Sequence, residues 1–338
     1  MYPFYLGIDL HLKRTYLVLM TKTGKILEQK RIRNDKLKEF LNKHIPKETY
    51  AVMEATRNWE FLYDFLQKKV DRVEIAHPKK LKAIASSTVK TDKIDAEVLA
   101  HLARLNYLPI AYAAPQEVRD LRLYIRHREW LVRQRTQAKN RIKSVLARYN
   151  LVAPMSDLFG VKGREYLKGV LEEVRPMAKR VILDQLMLID MHNERIQALE
   201  EDLALSPEQQ KDVRLIESVP GIGRINGVTV LAEIGEIKRF GSAKALCHWA
   251  GLTPRVRKSD QVVHHGRITK EGSPYIRSAM TRAATIASRV SPKWYDVHER
   301  MVSRCDKRGA KVVVARRLLA VIYYILKRQQ PYQEEYSS

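Results

Sequence analysis

Four carboxylates stand out in a chain dominated by bases. Asp9 ends the apolar run "YPFYLGID", Glu54 lies near the end of "ETYAVMEA", and Asp92 and Asp95 fall in "VKTDKIDAEVLAHLARL". Residues i and i+3 share a helix face, so Asp92 and Asp95 present their carboxylates together. Four such groups brought close repel one another unless cations neutralise them. Hard divalent ions such as Mg²⁺ take oxygen ligands of this kind. Two ions roughly 3.5–4 Å apart activate a nucleophile and stabilise a leaving oxygen in phosphodiester chemistry. Each residue also has a plainer account. Asp9 can simply end a strand and Glu54 can be solvated, while Asp92 and Asp95 suit the dipole of a helix capped by Thr91.

To converge, these positions need a sheet with a helix laid over its strand ends. "YPFYLGID" and "TYLVLM" read as strands, followed by the turn "TKTGK" and a third strand, "ILEQKRI". Helical "DKLKEFLNKH", strand "ETYAVMEA", helical "NWEFLYDFLQKK" and strand "RVEIA" come next, then a helix through about Asn106. This predicts an α/β layer over residues 1–112, antiparallel at first and parallel later. From Pro115 to Tyr149 the apolar residues Val118, Leu121, Ile125, Val132, Ile142, Val145 and Tyr149 fall mostly three or four apart. Arg119, Arg122, Arg126, Arg133, Arg141 and Arg148 take other positions, as a face free to meet phosphates. A second helix carries Ile182, Leu186, Ile189, Ile196, Leu199 and Leu203 at nearly heptad spacing. Residues 113–208 therefore predict a long helical arm, either a coiled coil joining copies of the chain or an intramolecular hairpin. Residues 209–330, punctuated by Gly and Pro, predict a compact, mostly helical domain, and 331–338 a loose tail.

The chain has 338 residues, 45% hydrophobic and 30% charged, the balance of a folded soluble protein. Its net charge is +24, from 62 Lys+Arg against 38 Asp+Glu, which points to a polyanion, nucleic acid before an anionic membrane. The N-terminus lacks a signal-peptide pattern. The apolar stretch "KVVVARRLLAVIYYILK" is broken by Arg316 and Arg317 and is too short to span a bilayer. Cys247 and Cys305 have no metal-ligand spacing, so a reducing cytoplasm is expected.

Strand-Asp, strand-Glu, then Asp-x-x-Asp on a helix resembles the ribonuclease-H-like fold of RuvC-type Holliday-junction resolvases. The likeness extends further. "GIDLH", "MEATRNWE", "HPKKLKAIASSTVKTDKIDAEVLA", "VPGIGRINGVTVLAEIG", "GLTPRVRKSDQ" and "GRITKEGSPYIRSAM" occur in the order of the DEDD-type insertion-sequence transposases. That family includes the Piv-like DNA invertases and the bridge-RNA-guided recombinases, and the similarity runs from Tyr5 to about Lys327. The overall expectation is an α/β plus α protein: a RuvC-like domain, a coiled-coil arm and a helical C-terminal domain. The resemblance implies a prokaryotic recombinase acting on donor and target DNA, cytoplasmic and nucleoid-associated when bound. It also implies a structured guide RNA and a dimer or dimer of dimers, with a catalytic site composed between protomers. Asp9, Glu54, Asp92 and Asp95 would hold Mg²⁺ or Mn²⁺ as catalytic groups.

The family's nucleophilic serine matches Ser259 in "RVRKSDQ", with Ser273 and Ser278 as weaker candidates. Asp260 stands where many relatives have glycine, which tolerates left-handed dihedrals more readily. His264 and His265 read as loop residues rather than a general base. "VPGIGRINGV" looks like a helix-hairpin-helix loop whose Gly221 and Gly223 expose amides to a phosphate, or else a plain interhelical turn. Arg255, Arg257, Lys258, Arg267, Lys270 and Arg277 make a cationic stretch suited to phosphates. Two rival functions remain at this level. One is a junction nuclease that hydrolyses DNA with water, needing the carboxylates but not Ser259. The other is a non-catalytic nucleic-acid-binding scaffold.

Overall fold

The computed structural model describes residues 1–84, 91–259 and 262–334, and for 257–259 and 262–265 the backbone alone. Lys90, Asp260 and the last residues of the expected tail, 335–338, lie outside the described residues. The chain divides into two compact units, Met1–Ala113 and Ala114–Ser338.

The first unit is a six-stranded sheet in the order β3-β2-β1-β4-β5-β6. Strands β1 (Phe4–Leu10), β2 (Arg14–Thr21) and β3 (Ile26–Arg33) form an antiparallel meander. Helix α1 (Asn34–His44) leads to β4 (Thr49–Glu54), which pairs parallel with β1. Helix α2 (Trp59–Lys69) leads to β5 (Arg72–Ala76), parallel with β4. Helices α3 (Pro78–Ile84) and α4 (Asp92–Arg104) follow, and β6 (Ile110–Ala111) closes the sheet antiparallel to β5. The antiparallel start expected from the sequence is followed by a parallel centre, β1-β4-β5, while β6 makes the far edge antiparallel rather than parallel.

Because side chains alternate across a strand, each strand contributes to two layers. Leu6, Ile8 and Leu10 of β1 join Met53, Leu37, Leu41 and Leu62 in a core on the α1 and α2 side. Tyr5 of β1 and Tyr50 and Val52 of β4 join Ala96, Leu99, Ala100 and Ala103 of α4 on the other side. Asp9 and Glu54 have the parity of this second layer, so they emerge beneath α4. Gly7 sits between Tyr5 and Asp9, and a Cβ there would fall 1.9 Å from the Ala96 carbonyl and 2.8 Å from the Ala100 nitrogen. Helix α4 therefore rests on the β1 backbone itself. Gly7→Ala is expected to push α4 outward and cost about 1–3 kcal/mol, as overpacking does. It should also displace Asp92 from Asp9, so a thermal melt with and without Mn²⁺ should show both a lower midpoint and a smaller metal-induced rise.

The second unit begins with α5 (Gln116–Ala147), α6 (Val161–Val170) and α7 (Pro176–Glu201). Helices α5 and α7 pack on each other within the chain, with Ile142, Val145, Leu167, Val170, Ile182 and Ile189 between them and α6. This is the intramolecular hairpin. The arginine face of α5 is less free than its spacing implies. Arg122 donates to the carbonyls of Ala232 (2.6 Å) and Glu233 (3.1 Å), and Arg126 grips the buried Glu233 carboxylate at 2.7 and 2.8 Å. Arg119 is buried, whereas Arg133, Arg141 and Arg148 remain exposed.

The remaining elements are α8 (Pro207–Glu217), α9 (Arg224–Ile234), α10 (Ala243–Trp249), β7 (Pro254–Ser259), β8 (Val262–Ile268), α11 (Pro274–Val290), α12 (Pro292–Val302) and α13 (Lys307–Arg328). Leu121 and Ile125 at the start of α5 share their core with Val213, Val228, Ile276 and Leu318. The root of the arm is thus part of the C-terminal core. The β7–β8 hairpin corrects the reading of His264 and His265 as loop residues: His264 pairs with Arg257 and His265 with Val256, while Ser259 pairs with Val262. The start of the tail is also tied down, since the Tyr332 amide donates to Ser218 Oγ at 2.8 Å. Among the described residues, no helix is long and apolar enough to cross a membrane.

Candidate functional site

The β1–β4 register places Ile8 beside Met53, so the next residues, Asp9 and Glu54, end adjacent parallel strands. Helix α4 starts above them. Thr91 Oγ1 accepts from the Ile94 amide at 3.3 Å, so this threonine caps the helix that carries the acidic pair. His11 Nε2 lies 3.1 Å from Asp9 Oδ2 and 3.3 Å from Asp92 Oδ1. One donor atom each from Asp9, His11 and Asp92 falls within 4.8 Å of the others, and Arg31 stands 3.4 Å from the second oxygen of Asp92. Burial pushes the Asp9 carboxyl above the ordinary carboxylate range. His11 pulls it back, and repulsion from Asp92, Asp95 and Glu54 raises it further. Of the four sequence-predicted carboxylates, Asp9 and Asp92 fall in this close group with His11; Asp95 and Glu54 lie outside it and reach Asp9 as like charges.

His11 escaped the sequence reading. It lies in the turn between β1 and β2, where no periodicity marks it; the only signal was its place two residues after Asp9 in "GIDLH". Its carbonyl accepts from Asn34 Nδ2 (2.8 Å) and Asn58 Nδ2 (3.2 Å), which hold the turn. This donor set fits a divalent cation: a carboxylate strained by its neighbours is relieved by positive charge, and an imidazole adds a nitrogen. Nitrogen donors favour Mn²⁺ over Mg²⁺. His11→Ala is accordingly expected to weaken Mn²⁺ binding about tenfold and Mg²⁺ binding by less, in calorimetric titration of the metal-free protein.

In the second unit, Ser259 is the last residue of β7, and its side chain, like those of Arg257 and Lys258, lies outside the described atoms. Arg255, Arg267 and Lys270 are exposed at the foot of the hairpin. Arg277 has another task. Its Nη1 donates to the carbonyls of Ala250, Glu271 and Gly272 at 3.0–3.1 Å, and desolvation lowers its pKa. It pins a loop, which corrects its reading as a freely available phosphate contact. Ser273 Oγ caps α11 through the Tyr275 amide, and Ser278 Oγ accepts from Arg282. Gly221 has φ +84° and a Cβ there would lie 2.5 Å from the Ala283 carbonyl, so close packing against α11 demands glycine. Gly223 opens α9 with free space around it.

Comparison with known families bears on both units. Residues 6–151 match the DEDD transposase model of the IS110 type, and residues 213–299 match the transposase IS116/IS110/IS902 family. The chain carries the paired domains of an IS110/IS116 DEDD transposase. It is thereby an enzyme of the transposase and recombinase class. The DEDD transposase match spans Asp9, Glu54, Asp92 and Asp95, and the second match spans Gly221 through Arg277, including Ser259. Relatives matched over most of their length agree. The transposase for insertion sequence element IS1111A of Coxiella burnetii is 23% identical over 97% of this chain and 91% of its own. A probable family 20 transposase of Pseudomonas aeruginosa is 26% identical over 72% of this chain and 74% of its own. The pilin gene-inverting protein of Moraxella bovis is 24% identical over 84% and 82% respectively.

Proposed function

We propose that this transposase cuts and rejoins the DNA strands of an insertion sequence, with a divalent metal held by Asp9, Glu54, Asp92 and Asp95 and with Ser259 as nucleophile. The observation that carries the reading is the approach of Asp9, His11 and Asp92 to within 4.8 Å at the strand ends. The match of both units to transposase families supports it. A divalent ion in that group would polarise a phosphoryl oxygen and neutralise charge building there. The carboxylates orient and hold, and Arg31 limits the repulsion at Asp92.

In the proposed reaction, a bond forms between Ser259 Oγ and the DNA phosphorus as the bond to the leaving strand oxygen breaks. The serine gives up its proton and the leaving oxygen gains one. A strand hydroxyl then attacks the phosphoserine and restores a phosphodiester, so the bond energy is retained without ATP. The net charge of +24 supports a nucleic-acid substrate. The family resemblance supports donor and target DNA chosen through a structured guide RNA, and action as a dimer or dimer of dimers in a prokaryotic cytoplasm. With a guide, base pairing reads sequence and the protein reads backbone and shape.

The test incubates purified protein, co-expressed flanking RNA and an insertion end with Mg²⁺ or Mn²⁺. DNA-linked protein should accumulate, and mass spectrometry should place the link on Ser259. Cleavage without any adduct would instead indicate attack by water, and binding without cleavage would indicate a scaffold.

A further inference from the structure

The second unit holds a cavity of about 940 Å³ at the foot of the β7–β8 hairpin, between α10 and α13. This is the upper end of the roughly 300–1,000 Å³ usual for small-ligand sites. Ala243, Cys247 and Ala320 contribute apolar surface, with Pro254 and Val256 from the start of β7. Lys244, Arg255, Arg316 and Arg317 bring positive charge, against the single carboxylate of Glu271. Cys247 is no reactive group here. Its thiol donates to the Arg316 carbonyl at 3.4 Å, and burial pushes its pKa up to about 11, so it stays protonated. His248 is held by Thr253, with Nδ1 and Oγ1 3.2 Å apart.

An apolar lining with a cationic surround matches neither a metal nor a plain anion. It matches a ligand with one flat apolar face and one phosphate. The phosphates of an intact duplex lie on a convex surface and its bases are stacked inside, so a duplex cannot fill a concave apolar cavity. An unpaired nucleotide can, with its base against the apolar side chains and its phosphate among the guanidinium groups. Ser259 lies three residues beyond Val256 on the same strand, about 10 Å at roughly 3.4 Å per residue. A nucleotide seated in the cavity would therefore hold the adjoining strand close to the hairpin tip.

We propose that this cavity binds one unpaired nucleotide of a nucleic-acid strand and thereby anchors that strand beside Ser259. The inference rests on the nucleic-acid reading above and adds a site to it. The donor of the nucleotide is either a melted DNA strand or an RNA strand, which share this chemistry.

The test uses the full chain and short photoreactive oligonucleotides carrying one 5-iodouracil, as single-stranded DNA, as single-stranded RNA and as duplex DNA. Ultraviolet crosslinks of a single strand should map to peptides spanning 243–256 or 316–320. The stronger of the two single-stranded arms identifies the source. Ala320→Phe plugs the cavity without removing charge, and should cut those crosslinks at least tenfold while duplex affinity stays within twofold. Arg317→Glu should weaken single-strand binding about tenfold and flatten the salt dependence by about 0.7 in log–log slope for each phosphate no longer neutralised. Circular dichroism and melting establish that each variant is folded; Val256→Phe plugs the cavity from the hairpin side should Ala320→Phe fail that control. Single-strand binding with crosslinks elsewhere, or crosslinks untouched by the plug, overturns the cavity proposal alone. Failure of the protein to bind any of the nucleic acids would overturn the wider reading as well.

Discussion

Asp9→Asn is expected to lower DNA cleavage by about 10³-fold or more while leaving DNA affinity within twofold, because loss of metal-held charge stabilisation is worth several kcal/mol. The residue stands between His11 and the acidic start of α4 and feels all three other carboxylates. The same variant should behave unusually in stability. Burial and like charge raise the folded-state pKa of Asp9 above its ordinary value. For a carboxyl raised in this way, the folded state binds the proton more tightly than the unfolded state. The cost to folding is absent at low pH, develops as pH rises from the ordinary carboxylate range to the raised value, and persists at neutrality. Asparagine removes that charge at nearly constant shape, so the metal-free midpoint should stay the same or rise. The wild type should gain about 2.7 kcal/mol at a metal concentration one hundred times its dissociation constant. The variant should gain almost none of it. Metal-induced stabilisation that survives in Asp9→Asn would remove this carboxylate from the centre.

Ser259→Ala is expected to abolish the covalent intermediate and reduce strand exchange by about 10⁴-fold or more, the scale of losing a nucleophile. In contrast to Asp9→Asn, it should keep the full metal-induced stabilisation, since the carboxylates belong to the other compact unit. The pair of variants thus separates the two halves of the proposed chemistry. Ser259→Cys provides a finer check. A thiolate is softer toward phosphorus than an alkoxide and a better leaving group, so the adduct should form at a reduced rate and the thiolate, once attached, should be expelled readily, leaving little adduct to accumulate. A Ser259→Ala protein that still forms a DNA adduct would move the nucleophile to another residue. Undiminished cleavage with no adduct would support water.

Much of the first unit was legible in its amino acids. Strands β1, β4 and β5 are short apolar runs bounded by polar turns, and Asp92 and Asp95 had to share a face once Thr91 capped a helix. The strand-end positions of Asp9 and Glu54 followed from the same pattern, because side-chain period and chain direction are local properties. The DEDD motif order then named the family.

Other features depended on contacts that no local pattern encodes. His11 joins the acidic group only because the β1–β2 turn bends its ring toward α4, a distance of 81 residues in sequence to Asp92. Arg122 and Arg126 read as part of a face free to meet phosphates, but their partners at Ala232 and Glu233 are more than a hundred residues away. Arg277 likewise reads as a phosphate contact until three carbonyls are seen to surround it. Hairpin β7–β8 was masked by its basic residues, since charge obscured the alternation that pairing across strands revealed. Sequence alone determined most elements of the first unit and the residues they carry, because propensity and periodicity act within a few residues. Tertiary structure decided which charges remain available for chemistry, because an ion pair is settled by proximity in space and not by spacing along the chain.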